Sequence, residues 1–232
     1  MRRRRVVAPL VVVFVAWVCA YAFFRRMGNL DFWGSEISAF EKADRAYPPK
    51  PGVIVFTGSS SIRFWKTLAD DMKPLEVINR GFGGSTIAQV NHYASRIVLP
   101  YRPRAVVLYA GDNDLSWPVS KSPEQVLGDF QQFVEIIHSQ LPETWIYYVS
   151  IKPTTLRRKN WATMQKTNEL IADFIRTQPR AQFIDVSAAM LDARGRPRAE
   201  LFRWDGLHMK TSGYALWTSI IKPVLLSRFG GG

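Results

Sequence analysis

Short apolar runs rich in β-branched and aromatic residues recur along this chain, at Val53 to Thr57, Glu76 to Asn79, Ala105 to Ala110, Trp145 to Ile151 and Gln182 to Val186. Segments with helical spacing separate or follow them, at Thr86 to Ile97, Pro123 to Gln140, Trp161 to Arg176 and Thr211 to Arg228. Strands that alternate with helices pair in parallel through right-handed crossovers, which leave a sheet covered on both faces. The alternation therefore predicts an α/β fold with a parallel sheet of about five strands, over residues 53–229. With 232 residues, 47% of them hydrophobic, the chain can fill one such core but hardly two. Residues 27–52 read as a connector with one helix near Ser35 to Ala46, ended by the breaker run Pro48-Pro49-Lys50-Pro51-Gly52. No internal repeat or low-complexity tract interrupts the pattern.

In an open parallel sheet, ligands bind in the crevice at the carboxyl ends of the strands. Three such ends carry polar, glycine-containing blocks: TGSSS from Thr57, NRGFGGS from Asn79 and GDND from Gly111. A fourth block, DGLH at Asp205 to His208, lies just before the last helical segment. Each has a plain structural alternative. Ser59, Ser60 and Ser61 can cap a helix, Gly84 can make a tight turn, and Asn113 can be an ordinary turn residue. As a set, the blocks supply a hydroxyl, backbone N–H groups, a side-chain amide and an acid-histidine pair, the working parts of nucleophilic acyl chemistry. Asp205 and His208 stand three apart with Gly206 between them, so their side chains can meet on one side of a turn. A Gly-x-Ser-x-Gly elbow is missing, which argues against an α/β-hydrolase nucleophile. Thr86 stands where a dinucleotide loop needs its third glycine. Asp112 and Asp114 have no spaced partners for a metal, and Asp114 reads as a support of its loop. His92 and His138 fall within helical segments and read as structural. Trp65, Trp117 and Trp204 lie close to three of the blocks, where they either line a pocket or pack against the sheet edge; packing is the favoured reading.

The ordered set Ser60, Gly84, Asn113 and His208 resembles the SGNH hydrolases, also called the GDSL esterase/lipase family, over most of Val53 to Arg228. The resemblance implies a three-layer α/β/α fold similar to flavodoxin, and ester hydrolysis through an acyl-serine intermediate with no metal or organic cofactor. Ser60 inherits the role of nucleophile, His208 that of general base and Asp205 that of its orienting acid. The N–H groups of Ser60 and Gly84 and the side chain of Asn113 form the expected oxyanion hole. Two positions depart from the family pattern: Ser59 replaces an Asp and Met209 a Pro. The first departure keeps a second reading open, a non-catalytic binding module of the same fold. An O-acyltransferase using the same serine is a neighbouring one.

The N-terminus suggests where such a domain works. Four arginines, Arg2 to Arg5, precede an uncharged apolar run from Val6 to Phe24, then Arg25 and Arg26. Nineteen helical residues span about 28 Å, close to a bilayer's hydrocarbon thickness. Residues 1–26 are thus expected to be a transmembrane signal anchor, or a signal peptide cleaved near Ala20-Tyr21-Ala22. Either exports the rest, with the short N-terminus cytoplasmic. Net charge is +12, but six of the 31 basic residues fall in the first 26 positions, leaving 25 against 19 acids for the remainder. Those 25 are scattered, so nucleic acid is not an expected partner. The expected partners are an ester substrate, small or lipid, and the membrane; the oligomeric state is not legible. Lone Cys19 lies in the apolar run, so the exported part forms no internal disulfide.

Overall fold

The computed structural model describes residues 26–230. The expected anchor at Val6 to Phe24 falls outside them; among the described residues, no helix is long and apolar enough to cross a membrane. Five strands form one sheet: β1 Ile54–Gly58, β2 Val77–Gly81, β3 Ala105–Tyr109, β4 Trp145–Val149 and β5 Ala181–Ile184. All pairs are parallel, in the order β2-β1-β3-β4-β5.

Because side chains alternate along a strand, each strand feeds two cores. Val55, Val106, Leu108, Ile146 and Tyr148 face one layer of helices: α1 Gly34–Ala46, α4 Ile87–Ile97, α5 Pro123–Gln140 and α6 Trp161–Ile175. Ile54, Phe56, Val107, Tyr109, Tyr147 and Val149 face the other, built from two short helices, α2 Ser60–Arg63 and α3 Leu68–Asp71, and the C-terminal α7 Thr211–Phe229. Each fully buried Phe, Leu or Ile stabilises these layers by roughly 1.5–3 kcal/mol. Of the middle helices, α4 and α5 start at capping boxes. Thr86 with Gln89 and Ser122 with Gln125 satisfy each other's backbone N–H groups. A helix opening at the serines after β1 was expected and is α2; α3 was not, since one turn is too short to show a period.

Handedness explains the layering. The chain steps from β1 to β2 in one direction, then from β2 across β1 to β3 and onward in the other. Right-handed crossovers must therefore place α2 and α3 on one face and α4 to α6 on the opposite face. The reversal opens a crevice between the carboxyl ends of β1 and β3. The segment before β1 packs over this edge. Ile37 of α1 is fully buried, Glu36 pairs with Arg63 at 2.7 Å, Glu41 with Arg96 at 2.6 Å, and Asp44 with Arg80. The Trp33 ring lies on Gly83, where φ is +37° and any Cβ would stand 1.9 Å from the indole, so only glycine fits.

Beyond β4 the apolar run continues, but the strand ends at Val149. Ile151 is buried in a loop whose backbone is satisfied by the Asn168 amide, Ile151 N–H donating to Oδ1 at 2.8 Å and Nδ2 donating to Ile151 O at 3.0 Å. This loop turns Lys152 underneath the crevice.

Candidate active site

At the end of β1 the three serines divide by exposure. Ser59 and Ser61 are 1% and 2% exposed, whereas Ser60 reaches the surface. Ser59 occupies the capping position of α2, but its side chain makes no capping bond. The turn is instead held through Ser61. Lys152 Nζ donates to Ser61 Oγ at 2.9 Å, and the Tyr214 hydroxyl of α7 donates to the Ser61 carbonyl at 3.0 Å.

His208 arrives from 148 residues downstream, and its Nε2 lies 3.1 Å from Ser60 Oγ. Its Nδ1 is 2.7 Å from Asp205 Oδ2. The other oxygen, Oδ1, accepts the backbone N–H groups of Leu207 and His208, each at 2.9 Å. Burial works against charge on Asp205, but the Leu207 N–H, the His208 ring and the His208 N–H outweigh it and bring the carboxyl down to about 2. Gly206 makes this turn possible: φ is +65°, and a Cβ would fall 2.2 Å from Thr155 Oγ1. The Phe64 ring meets the imidazole edge-on, centroids 5.0 Å apart.

The second and third blocks repeat the exposure pattern. Gly84 and Asn113 reach the surface between buried neighbours, Gly83 and Ser85 in one case, Asp112 and Asp114 in the other. Asn113 Nδ2 donates to the Ser85 carbonyl at 3.2 Å and lies 3.7 Å from where a Cβ on Gly84 would stand. Among the described residues, nothing accepts the N–H of Ser60 or of Gly84. Ser60, His208 and Asp205 thus form one hydrogen-bonded line, and Gly84 and Asn113 stand together.

Asp114 does support its loop: Oδ1 accepts the Ile87 N–H at 3.0 Å and ties the third block to α4. Fully buried, its carboxyl is pushed up to about 7 by desolvation, against the Ile87 N–H and Lys121. A folded value above the unfolded one means that stability is full below the unfolded value of 3.8 and is lost as pH rises through about 7. Asp114→Asn removes that loss. At pH 8 it is expected to be more stable than the parent by up to roughly 4 kcal/mol, with the gap closing near pH 4. Thermal unfolding at both pH values checks this, and an equal gain at each rules the account out.

Two cations at the site were missed in the sequence, the buried Lys152 and the partly buried Arg157. Asp112 Oδ2 lies 3.4 Å from Lys152 Nζ and 3.2 Å from an Arg157 nitrogen, and accepts from the Tyr109 hydroxyl at 3.1 Å. Burial opposes the Asp112 charge, yet Lys152 and Arg157 hold its carboxyl below the usual range. Both cations follow β4 without forming a motif, so a Lys directly after an apolar run was the one available signal. The histidines set aside lie elsewhere: His92 meets Asp31 at 2.9 Å and His138 the Thr144 carbonyl at 3.1 Å. Trp65 is buried and packs, its Nε1 donating to Asp71, but Trp117 and Trp204 are 58% and 97% exposed. Both sit on the loops that carry the site, beyond the sheet edge, where no layer covers them. Among the described residues, no three His, Cys, Asp or Glu side chains converge as a metal site.

The GDSL-like lipase/acylhydrolase family profile matches residues 47–216, which span all four blocks. The chain belongs to this family. Membership makes it a carboxylic-ester hydrolase by kind. Solved structures share the fold at low identity. One from Streptococcus pneumonia, provisionally described as a platelet activating factor, is 18% identical, with 91% of this chain and 98% of that one covered and a TM-score of 0.74. A GDSL-like lipase from Bacteroides thetaiotaomicron is 20% identical over 87% and 98%, with a TM-score of 0.69. An acetyl-xylooligosaccharide esterase from Geobacillus stearothermophilus, in a mutant form, is 14% identical over 79% and 96%, with a TM-score of 0.61. Among curated protein sequences, none matches the chain. The GDSL profile and the three-layer, five-stranded parallel sheet agree with the resemblance read from the four blocks.

Proposed function

We propose that this acylhydrolase is an exported, membrane-tethered serine esterase in which Ser60 is the nucleophile. The observation that carries the reading is the unbroken line from Ser60 Oγ through the His208 ring to Asp205, with spacings of 3.1 and 2.7 Å. Ser60 Oγ attacks the ester carbonyl as His208 Nε2 takes its proton, while Asp205 keeps the opposite ring nitrogen protonated. The carbonyl oxygen becomes an oxyanion, met by the N–H groups of Ser60 and Gly84 and by Asn113 Nδ2. His208 returns the proton to the departing alkoxide, leaving an acyl-serine. Water, activated by the same ring, then releases the acid and restores the hydroxyl. A fluorophosphonate probe tests this reading. Labelling is expected to vanish in Ser60→Ala and to persist in Ser59→Ala and Ser61→Ala; a folded protein that takes no label would favour a binding module instead.

For the substrate, lipid esters come first. Trp204 and Leu156 are 97% and 62% exposed, and the Leu156 N–H donates to Gly206 O at 3.0 Å, so an apolar rim borders the His208 turn. Such a rim suits an acyl chain. O-acetyl groups on sugars are the second reading, favoured by a cavity of about 660 Å³ beside the same turn. Thr155, Arg158, Arg196, Arg198, Asp192 and Glu200 line it with donors and acceptors suited to hydroxyl groups. Turnover of a lysophospholipid against an acetylated sugar decides between them, and radiolabelled acyl groups found on an acceptor rather than as free acid would indicate an acyltransferase. The tether rests on Arg2 to Arg5 and the run Val6 to Phe24. Recovery of the intact chain in soluble periplasm would overturn it.

A further inference from the structure

A side-chain amide is a usable oxyanion donor only if it faces the right way. Asn carries a donor and an acceptor of nearly equal size, and the flipped amide would aim its oxygen at the developing negative charge. Arg157 removes the ambiguity. One guanidinium nitrogen donates to Asn113 Oδ1 at 2.9 Å, so the amide oxygen is engaged on the side away from Gly84 and Nδ2 points back toward the Ser85 carbonyl and Gly84. The guanidinium is itself held: its other terminal nitrogen lies 3.2 Å from Asp112 Oδ2. That carboxylate is in turn pinned by Lys152 at 3.4 Å and the Tyr109 hydroxyl at 3.1 Å, all three groups buried at the ends of β3 and β4. The planar fork of Arg can serve two oxygens at once, which a Lys ammonium on a flexible stem does less well.

We propose that Arg157 is the positioning residue of the oxyanion site: through Asn113 Oδ1 it locks the amide with Nδ2 turned toward Gly84, using the buried Asp112–Lys152 pair as its anchor. Arg157 acts through Asn113 and does not touch the reacting atoms. The inference rests on the esterase reading, and its test separates the two.

Kinetics on a p-nitrophenyl ester are measured for Arg157→Ala, Asn113→Ala and the double variant. Each single change is expected to lower kcat by about 10²-fold, the usual loss of one oxyanion donor, with KM nearly unchanged. If Arg157 works through the amide, the double variant is no slower than Asn113→Ala by more than about twofold. Arg157→Lys keeps a cation beside Asp112 and is expected to keep its melting temperature but not its kcat; it carries the test should the alanine variant fail to fold. Multiplying losses in the double variant, full kcat in Arg157→Ala, or full kcat in Arg157→Lys would each overturn the proposal. Those results leave the esterase reading standing as long as Ser60→Ala is inactive, whereas an active Ser60→Ala removes that reading itself.

Discussion

Ser60→Ala is expected to lower kcat on the order of 10⁶-fold while leaving the melting temperature unchanged, because the variant loses the attacking atom and little else. Among the described residues, the Ser60 side chain reaches the surface and makes one polar contact, to His208, so alanine in the first turn of α2 costs no packing. Neither neighbouring hydroxyl can take over. Ser59 Oγ is buried and Ser61 Oγ is held by Lys152, so both are turned away from the space that the imidazole faces. Ser59→Ala and Ser61→Ala are thus expected to retain far more activity. Turnover of a p-nitrophenyl ester, with melting curves, checks all three; a Ser60→Ala protein that keeps even a thousandth of parental kcat would sink the assignment.

Asp205→Asn is expected to lower kcat by about 10⁴-fold, although it changes a single atom. Asp205 Oδ1 already accepts two backbone N–H groups, so an Asn must keep its oxygen there and present its NH₂ to His208 Nδ1. Nδ1 would then have to accept, the ring proton would move to Nε2, and Nε2 could no longer take the proton of Ser60. Turn geometry is preserved, so the loss should fall on kcat and leave KM nearly unchanged. Asp205→Ala separates tautomer from charge, since it removes the acceptor without imposing the wrong ring form. If Asp205→Asn equals the parent at any pH where the parent is active, Asp205 does not orient the base.

The alternation of strands and helices was readable because both periods are local. Residues two apart share a strand face, and residues three or four apart share a helix face, whatever lies elsewhere in the chain. Pro123 to Gln140 has the same limits in both readings for that reason, with a capping box at its start. The four polar blocks were readable as a set because strand ends in a parallel sheet share one edge. What local pattern misjudged was burial. The run after β4 looked like continuing strand and is a buried loop, and Trp117 and Trp204 looked like packing residues and are exposed.

The sequence by itself therefore determined the layers, the order of the strands along the chain, and which short segments would meet. It left Ser59, Ser60 and Ser61 nearly equivalent, and gave Lys152 and Arg157 no role. Only the tertiary structure decided which hydroxyl faces the imidazole and which way the Asn113 amide points. The reason is physical: these choices depend on directed hydrogen bonds a few ångströms long between residues 28 to 148 positions apart, and no local periodicity encodes a direction across such a separation.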